Sequence, residues 1–294
     1  MQIRHISVLG DNSLVDSQGQ TTYLFATIHR ATDFDTMVLE DLTKVAIEAA
    51  REAGEITLRY FNSQTLTIET KSDESPVTIA DRTAEEAIVR IVRSKFPDHA
   101  ILGEEYGEMA GSGRYRWIID PIDGTKSFIH GVPLYGVLIG VEDLSSNDII
   151  CGVVNFPALG ELYNATRGQG AFKNGKTCRV SRTDRLEDSI LLTTDYRHVR
   201  EHRNSAAFEA VHDRVKFVRT WGDCYGHMMV ASGRAEVMMD PKMNLWDIAA
   251  LKPIVEESGG RFFDWNGVTG LDLQDAVSTN DLLSEEIRTI LQSP

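Results

Sequence analysis

The chain has 294 residues, of which 30 are Lys or Arg and 44 are Asp or Glu, so its formal net charge is -14. A hydrophobic fraction of 42% and a charged fraction of 25% are typical of a folded globular protein and exclude disorder over any long stretch. The acidic excess argues against a nucleic-acid binder, which needs clustered Lys and Arg, and against attraction to anionic membranes. It suits a site in which carboxylates hold divalent cations.

Cysteine usage and hydropathy indicate a cytoplasmic location. Cys151, Cys178 and Cys224 are scattered and form no CxxC pair, which fits a reducing compartment better than a disulfide framework or a zinc site. No apolar run in residues 1–35 has the length of a signal peptide, and none elsewhere reaches the roughly 18 residues of a membrane span.

The hydrophobic pattern predicts three segments. Residues 1–35 are expected to be a loose N-terminal extension, residues 36–180 an α+β half, and residues 181–294 an α/β half. In the α+β half, a helical stripe starts at Leu42 and a second helix is predicted over Thr83–Phe96. Strands and a hairpin follow it: Trp117–Asp120, Leu134–Val141, Ile149–Asn155 and Glu161–Val180, the last with a type I′ turn at Asn174-Gly175.

The α/β half alternates strands and helices. The predicted strands are Ser189–Thr194, Val215–Arg219 and Ala235–Met239, and the predicted helices are Glu201–His212, Tyr225–Ser232 and Trp246–Ser258. Pro253 should bend the last helix because it removes one backbone hydrogen bond.

The most informative motif runs from Asp120 to Thr125 and reads DPIDGT. A buried strand ends in Asp120, and Asp123 follows three residues later, so both carboxylates can face one point beyond the strand. Two such carboxylates repel each other unless a cation lies between them, and oxygen ligands favour Mg²⁺ or Mn²⁺ over zinc. Backbone N–H groups of Gly124 and Thr125 at a helix start could hold a phosphate. The alternative is a turn with solvated acids.

Two other motifs place acids at the ends of predicted elements. Glu104 and Glu105 follow Gly103 after a short apolar strand, and Asp247 lies at the start of a helix in the run Trp246–Ala250. An acid such as Asp247 is also favoured by the helix dipole alone. Three acidic sites in one chain nevertheless favour a shared cluster.

Together the GEE, DPIDGT and WDIAA motifs resemble the inositol monophosphatase family, in the family's order and spacing, over about Asp41 to Leu291. The resemblance implies a layered αβαβα sandwich of the inositol monophosphatase and fructose-1,6-bisphosphatase type, and a homodimer. It also implies a magnesium-dependent phosphatase of small soluble monoesters, with two to three Mg²⁺ ions per site and Mn²⁺ as a possible substitute.

The family's functional residues fall on matching positions of this chain. The implied metal ligands are Glu104, Asp120, the Ile122 carbonyl, Asp123 and Asp247. The implied catalytic groups are Thr125 and Asp81, which position the attacking water, together with Glu104 and Asp123. The implied substrate-binding groups are Gly124, Thr125 and Lys71. No motif for a phosphate-accepting nucleophile is present, so direct attack by water is expected.

Two further acids bear on the substrate. The GDxY pattern that contains Asp223, in the run Trp221–Tyr225, is similar to the histidinol-phosphate phosphatase branch of the family. Asp240 falls where relatives place a Glu that contacts the leaving group. Histidinol phosphate carries an ammonium and an imidazole, which favour nearby carboxylates, whereas inositol offers only hydroxyls. The alternative for Asp223 is a helix N-cap, and inositol 1-phosphate, phosphoadenosine phosphate and fructose bisphosphate remain alternative substrates.

Two other classes of function, a regulator and a zinc peptidase, are less consistent with the sequence. A non-catalytic metal- or phosphate-binding regulator is disfavoured because every motif acid is intact. A zinc peptidase would rest on the HxxEH match at His198–His202, which arginines surround, so a solvated helix start is favoured there.

Overall fold

The computed structural model describes residues 8–9, 13–15, 21–22, 24–63, 68–70 and 76–293. Residues 42–294 form one compact unit and residues 1–41 another. The predicted boundary near residue 180 is not tested by this division and stays a prediction. Within the described residues, no helix combines the length and the apolar character needed to cross a membrane.

The N-terminal elements include a long helix that begins earlier than expected. Helix α1 starts at Leu24, within the segment expected to be a loose extension and well before the predicted start at Leu42. The elements up to the first sheet of the main unit are β1 (Val8–Leu9), β2 (Ser13–Val15), β3 (Thr21–Thr22), α1 (Leu24–Tyr60), β4 (Ile68–Thr70), β5 (Pro76–Thr78) and α2 (Ile79–Lys95).

The larger sheet has eight strands in the order β13-β12-β11-β10-β9-β8-β6-β7. Its elements, with one short helix, are β6 (Ala100–Gly103), β7 (Gly107–Met109), β8 (Tyr115–Asp123), α3 (Thr125–Ile129), β9 (Gly136–Asp143), β10 (Asp148–Phe156), β11 (Glu161–Thr166), β12 (Gly170–Lys173) and β13 (Lys176–Cys178). The turn between β12 and β13 is confirmed: Asn174 and Gly175 both have positive φ, as a type I′ turn requires.

The smaller sheet has five strands in the order β15-β14-β16-β18-β17. Its strands and helices are β14 (Ile190–Thr193), α4 (Tyr196–His202), α5 (Ser205–His212), β15 (Phe217–Arg219), α6 (Asp223–Ala231), β16 (Val237–Asp240), α7 (Leu245–Ala249), α8 (Leu251–Glu257), β17 (Gly260–Phe263), β18 (Ala276–Asn280) and α9 (Ser284–Leu291).

Helices and sheets alternate in five layers, which confirms the expected αβαβα sandwich. The larger sheet lies between α2, with the part of α1 after Leu42, and the helices α7 and α8. Helices α6 and α8 also pack against the smaller sheet, and its other face is covered by α4, α5 and α9. Each sheet is therefore buried on both faces, as expected for strands that read as continuous apolar runs.

Strand β10 shows how the larger sheet accommodates both helix layers. Its residues alternate: Asn155 donates to the carbonyl of Ala50 in α1, whereas Gly152 faces α8. A Cβ at Gly152 would lie 2.3 Å from the carbonyl oxygen of Ala250, so only glycine permits this approach. Overpacking of this kind typically costs about 1–3 kcal/mol.

Helix α2 begins four residues before the predicted start at Thr83. Thr78 caps it, because its hydroxyl accepts from the N–H of Ala80 while the carboxylate of Asp81 accepts from the N–H of Thr78. This reciprocal capping box satisfies N–H groups that the first turn leaves unpaired, and it fixes the orientation of Asp81.

Two other predicted helices are each divided in two. The helix expected over Glu201–His212 is replaced by α4 and α5, because Asn204 caps a new start with its side-chain oxygen. The helix expected over Trp246–Ser258 breaks at Ala250 between α7 and α8. Pro253 explains the break, since it has no N–H for the carbonyl of Ala249 four residues before it.

Candidate active site

A β-bulge in β8 directs two carboxylates to the same side of the strand. Along β8 and β9, Asp120 pairs with Leu138 and Asp123 with Gly136, so β8 has one residue more than its partner over this interval. In a regular strand, side chains three positions apart point to opposite faces. The extra residue cancels that alternation and lets Asp120 and Asp123 converge.

These two acids meet a third from another element. Asp120, Asp123 and Asp247 each offer a carboxylate oxygen, and these three oxygens lie within 4.8 Å of one another. Asp120 is buried, whereas Asp123 and Asp247 are partly exposed. We call these three residues the acid trio; it is the group of potential metal ligands found among the described residues.

The pKa shifts of the acid trio favour a bound cation. Burial, followed by the negative charges of Glu104 and Asp123, raises the pKa of Asp120 well above its ordinary value. Burial and then the charge of Asp247 raise the pKa of Asp123 in the same direction. Carboxylates held this close favour a shared proton or a bound cation. Because all donors are oxygens, the set fits Mg²⁺ or Mn²⁺ and does not fit a thiolate- or imidazole-bound metal.

Asp247 is both a helix-capping residue and a member of the acid trio. It is the third residue of α7, and its Oδ2 accepts from the N–H of Asn244 at 2.7 Å. The two interpretations of Asp247, a helix-terminal acid and a metal ligand, are therefore compatible, because the capping bond fixes the carboxylate at the position where it approaches Asp120.

The loop that carries Glu104 is held by a residue that the sequence analysis missed. Glu85, buried in α2, accepts from the N–H of Glu105 at 2.9 Å and from the N–H of Tyr106 at 3.1 Å. Its carboxylate occupies the space beside Gly103, where a Cβ would lie 1.9 Å from Oε1. The glycine of the GEE motif is thus required by Glu85. Glu85 could have been found in the sequence, because it is an acid among the apolar residues that form the buried face of α2.

The loop after β8 turns sharply before α3. Gly124 has φ +80°, a left-handed conformation that favours glycine, and α3 begins at Thr125. The Thr125 hydroxyl donates to the carbonyl of Ile122 at 3.1 Å, and the N–H of Ile122 donates to Asp120 at 2.9 Å. The Ile122 carbonyl, a predicted metal ligand, therefore lies within the same turn as both trio acids of β8.

Asp81 and Lys71 are the two predicted site residues that precede β6 in the chain. Asp81 is 1% exposed and accepts from the backbone N–H and the hydroxyl of Thr78, at 2.8 and 2.6 Å. Burial raises its pKa to about 6. Its predicted pairing with Thr125 is not formed in this structure, in which Thr125 bonds Ile122, and that pairing stays a prediction. Lys71 lies outside the described residues.

A cavity of about 420 Å³ joins the acid trio to the predicted substrate residues. Asp123 and Asp247 line it together with Gly124, Thr125 and the two acids Asp223 and Asp240, which we call the acid pair. Several other residues of its wall were not predicted as site residues: Lys126, Thr194, Asp195, His198, Lys242 and Asn244.

Asp223 adopts an unusual backbone conformation at the cavity wall. Its φ is +52°, which is uncommon for a residue other than glycine, and it is the first residue of α6. The N-cap of α6 is Gly222, so the helix-cap alternative for Asp223 is wrong. The N–H of Cys224 donates instead to the carboxylate of Asp123 at 2.6 Å, which links α6 to the acid trio.

Both members of the acid pair are shifted toward the neutral form. Burial and then the charge of Asp123 raise the pKa of Asp223 to about 7. Burial also raises the pKa of Asp240 to about 7, although its hydrogen bond from Thr194 acts in the opposite direction. The acid pair can therefore change its protonation near neutral pH.

The HxxEH segment is not a metal site. The carboxylate of Glu201 accepts from Arg197 at 2.7 Å, and the ring of His198 lies 3.9 Å from Asp195. Within the part of the chain that the structure describes, no potential metal-ligand group contains these histidines. The preference for a solvated helix start over a zinc site agrees with this geometry.

The oxygen-only ligand set, the tight turn at Gly124 and the layered fold are those of a metal-dependent hydrolase with a DPIDGT loop. The model of the inositol monophosphatase family matches residues 38–292. The chain therefore belongs to the inositol monophosphatase family, a family of metal-dependent phosphoric monoester hydrolases.

Individual relatives agree with this assignment. The chain is 48% identical to the histidinol-phosphatase of Chlorobaculum parvum, over 83% of this chain and 94% of that one. It is 35% identical to the histidinol-phosphatase of Mycobacterium tuberculosis, over 85% and 97%. Among solved structures, the extragenic suppressor protein suhB from Bartonella henselae superposes with a TM-score of 0.79 at 30% identity, covering 86% of this chain and 99% of that one.

Proposed function

We propose that this chain is a magnesium-dependent histidinol-phosphatase, which hydrolyses L-histidinol phosphate to L-histidinol and phosphate. The observation that carries the proposal is the position of the acid pair. Asp223 and Asp240 line the same cavity as the acid trio but belong to the smaller sheet and the start of α6. The two relatives named histidinol-phosphatase support it.

The acid trio, Glu104 and the carbonyl of Ile122 would hold two to three Mg²⁺ ions, with Mn²⁺ as a possible substitute. When bound, such ions neutralise the charge of the phosphate ester and lower the pKa of water at the site. Backbone N–H groups of Gly124 and Thr125 would bind the phosphate oxygens, because the first N–H groups of a helix are not used by its own backbone.

The remaining catalytic groups act on protons and orientation. Thr125 would orient the attacking water, and Asp81, with a pKa of about 6, is poised to accept a proton near neutral pH. Glu104 and Asp123 would help to hold that water in line with the scissile bond. Lys71 would lie near the phosphate in this proposal.

The acid pair would select for the leaving group. Histidinol offers a primary ammonium and an imidazole, and a hydrogen bond from a charged group to a carboxylate typically contributes about 1.5–3 kcal/mol. Beyond the trio, the carboxylates on the cavity wall are those of Asp223, Asp240 and Asp195, and that of Asp195 caps α4 by accepting from the N–H of Arg197. We expect both to be ionised when a cationic group is bound, because that group lowers their pKa.

One observation favours a second candidate, an inositol-phosphate phosphatase. With pKa values of about 7, the acid pair is partly neutral in the empty cavity, and neutral carboxyls can both donate to and accept from the hydroxyls of a polyol. The ratio of kcat/KM for histidinol phosphate to that for inositol 1-phosphate separates the two candidates, because effects of pH on the shared chemistry cancel in it. The ratio should rise from pH 6 to pH 8 if the ionised acid pair binds an ammonium, and should stay constant if the pair serves the hydroxyls of a polyol.

The direct test is phosphate release with Mg²⁺ from four compounds: histidinol phosphate, inositol 1-phosphate, phosphoadenosine phosphate and fructose bisphosphate. A preference of about 100-fold for histidinol phosphate, about 2.7 kcal/mol of discrimination between transition states, is expected. A preference for inositol 1-phosphate would retain the phosphatase and reject the substrate. Release from none of them would favour a non-catalytic regulator.

Asp223→Asn tests the role of the charge. It should reduce the preference for histidinol phosphate over inositol 1-phosphate about tenfold, because one carboxylate that faces the ammonium is lost. Asp272→Asn, at an exposed position outside the cavity, is the matched control and should leave the preference unchanged. An unchanged preference in Asp223→Asn would reject the electrostatic basis of selectivity.

Cytoplasmic location and a homodimer are part of the same proposal and rest on the sequence alone. Sedimentation of the purified protein near twice its mass of 32.8 kDa would support the dimer.

A further inference from the structure

Thr194 connects the two members of the acid pair through one hydroxyl. It follows directly after β14, and its Oγ1 donates to Oδ2 of Asp240 at 2.7 Å. The same oxygen accepts from the backbone N–H of Asp223 at 2.8 Å. An N–H can only donate and an ionised carboxylate can only accept, so the hydroxyl proton of Thr194 goes to Asp240.

The sheet brings these groups together. Strands β14 and β16 are parallel neighbours in which Thr193 pairs with Met239, so Thr194 and Asp240 are the next residues along the two strands. Asp240 is 6% exposed, and Thr194 lies on the wall of the same cavity. The hydrogen bond therefore fixes a carboxylate that has little freedom and no other side-chain donor among the described residues.

Asp223 depends on Thr194 in a different way. A non-glycine residue with φ +52° persists only where its surroundings hold it, and the hydrogen bond from its N–H to Thr194 is such a restraint. The contact also requires Gly222: a Cβ there would lie 2.3 Å from Cα and 2.5 Å from Oγ1 of Thr194.

We propose that Thr194 is a positioning residue for substrate selectivity, whose hydroxyl sets the carboxylates of Asp223 and Asp240 so that both face a cationic group on the substrate. The inference rests on the proposed function and assigns the selectivity to a neutral residue that no motif of the family marks. It also couples the acid pair, because loss of one hydroxyl removes a hydrogen bond from the carboxylate of Asp240 and another from the backbone N–H of Asp223.

Three variants test this role. Thr194→Val removes both hydrogen bonds at nearly constant volume, and Thr194→Ser keeps the hydroxyl. Thr193→Val is the control, because the neighbouring Thr193 is buried in β14 and its hydroxyl has no hydrogen-bond partner within the described residues. Thr194→Ala, which removes the same two bonds with a smaller side chain, replaces Thr194→Val if that variant does not fold.

The readout is kcat and KM for histidinol phosphate and for inositol 1-phosphate, with Mg²⁺ saturating. Thr194→Val should raise KM for histidinol phosphate about tenfold with kcat changed less than about threefold, because the lost bonds act on binding of the leaving group. The value of kcat/KM for inositol 1-phosphate should change less than about threefold. Thr194→Ser should restore KM, and Thr193→Val should match the wild type.

Several results would overturn the inference. Equal losses for both substrates, a loss confined to kcat, a failure of Thr194→Ser to restore KM, or the same loss in Thr193→Val would each make Thr194 a purely structural residue. Failure of the proposed function is seen separately, in the wild type: if that enzyme prefers inositol 1-phosphate, the substrate is wrong. In that case an unchanged KM of Thr194→Val for the preferred substrate overturns the positioning role as well.

Discussion

Members of the acid trio and the acid pair line one cavity, but different interactions determine the geometry of the two groups. Asp120 and Asp123 lie on a single bulged strand; besides burial, the charge of Asp123 raises the pKa of Asp120 and that of Asp247 raises the pKa of Asp123, so the site favours a bound cation. Asp223 and Asp240 come from separate elements and are joined by the neutral hydroxyl of Thr194. Charge repulsion therefore defines the first group, and hydrogen-bond geometry defines the second.

This difference separates chemistry from selectivity within the molecule. The trio needs a fixed partner of fixed charge, which suits a metal ion common to a whole family. The pair can be neutral or ionised near pH 7, which suits a ligand that varies. Substitutions at the trio should abolish activity towards every substrate, whereas substitutions at the pair should change the ranking of substrates.

The largest effect is expected for Asp120→Asn. Activity should fall at least about a thousandfold, or about 4 kcal/mol, because a central metal ligand is lost. The melting temperature measured in EDTA should rise at the same time, since a buried repulsive charge has been removed. Phosphate release and thermal melting check the two parts.

Asp143→Asn is the control for Asp120→Asn. Hydrogen bonds from Arg114 hold the pKa of the buried Asp143 well below its usual range, so this carboxylate stabilises the fold. Its replacement should lower the melting temperature and leave most activity intact. A fall in the melting temperature of Asp120→Asn in EDTA would contradict the repulsion assigned to the trio.

Glu85→Ala is expected to have the next largest effect. It leaves the N–H groups of Glu105 and Tyr106 without their acceptor, which typically costs about 1–3 kcal/mol for each buried group. Displacement of Glu104 should raise the Mg²⁺ concentration needed for half-maximal activity about tenfold, which a metal titration measures. Glu86→Ala removes a neighbouring acid that binds the side chain of Tyr106, and it should leave that concentration unchanged.

Gly222→Ala should weaken the acid pair while leaving the trio intact. The clash with Thr194 is expected to cost about 1–3 kcal/mol of stability and to raise KM for the preferred substrate, while the Mg²⁺ dependence stays as in the wild type. Gly160→Ala, at a turn where a Cβ meets nothing within 4 Å, should lose only about 1 kcal/mol from its left-handed backbone. Equal Mg²⁺ shifts in Gly222→Ala would show that the two groups are not separable.

The last effect requires no substitution and is a pH dependence of stability without metal. Asp223 and Asp240 have pKa values of about 7 in the folded chain and an ordinary value of 3.8, so the folded state keeps protons that the unfolded state has lost. The free energy of unfolding should therefore fall as pH rises from about 4 to about 7, by up to about 1.4 kcal/mol per pH unit for each group.

Mg²⁺ should act on this pH dependence through the trio. Urea unfolding at several pH values in EDTA measures the slope, and saturating Mg²⁺ should reduce it, because the ionised trio is then stabilised by the cation. A slope that stays the same with and without Mg²⁺ would place the metal elsewhere. Asp240→Asn should remove part of the slope under both conditions.

The sequence predicted the trio better than the pair, for physical reasons. Asp120 and Asp123 lie within one short motif, so a single local bulge is enough to bring them together. The pairing of Thr194 with Asp240 depends on the register of two parallel strands that are far apart in the chain, and no local pattern encodes such a register. Glu85 was missed for the same reason, since its partners lie on a loop twenty residues away.

The layered fold was predictable from the resemblance to the family, whereas the hydrophobic pattern alone indicated an α+β half followed by an α/β half. Element ends were less so. The capping box at Thr78 starts α2 early, and Pro253 moves the break in the last predicted helix to Ala250. Both depend on single hydrogen bonds rather than on hydrophobic periodicity.

The bulge in β8 makes the catalytic centre sensitive to chain length in a way that residue identity does not reveal. Asp120 and Asp123 converge although three positions separate them, because the extra residue of the bulge offsets the alternation of side chains and bends the strand. Many substitutions of Ile122 keep the number of residues and so keep the bulge, whereas a deletion of one codon between the two acids would remove it. In a population of variants, such a deletion would leave every acidic residue of the site present and both acids on one face of a regular strand, yet remove the bend that brings their carboxylates to one point.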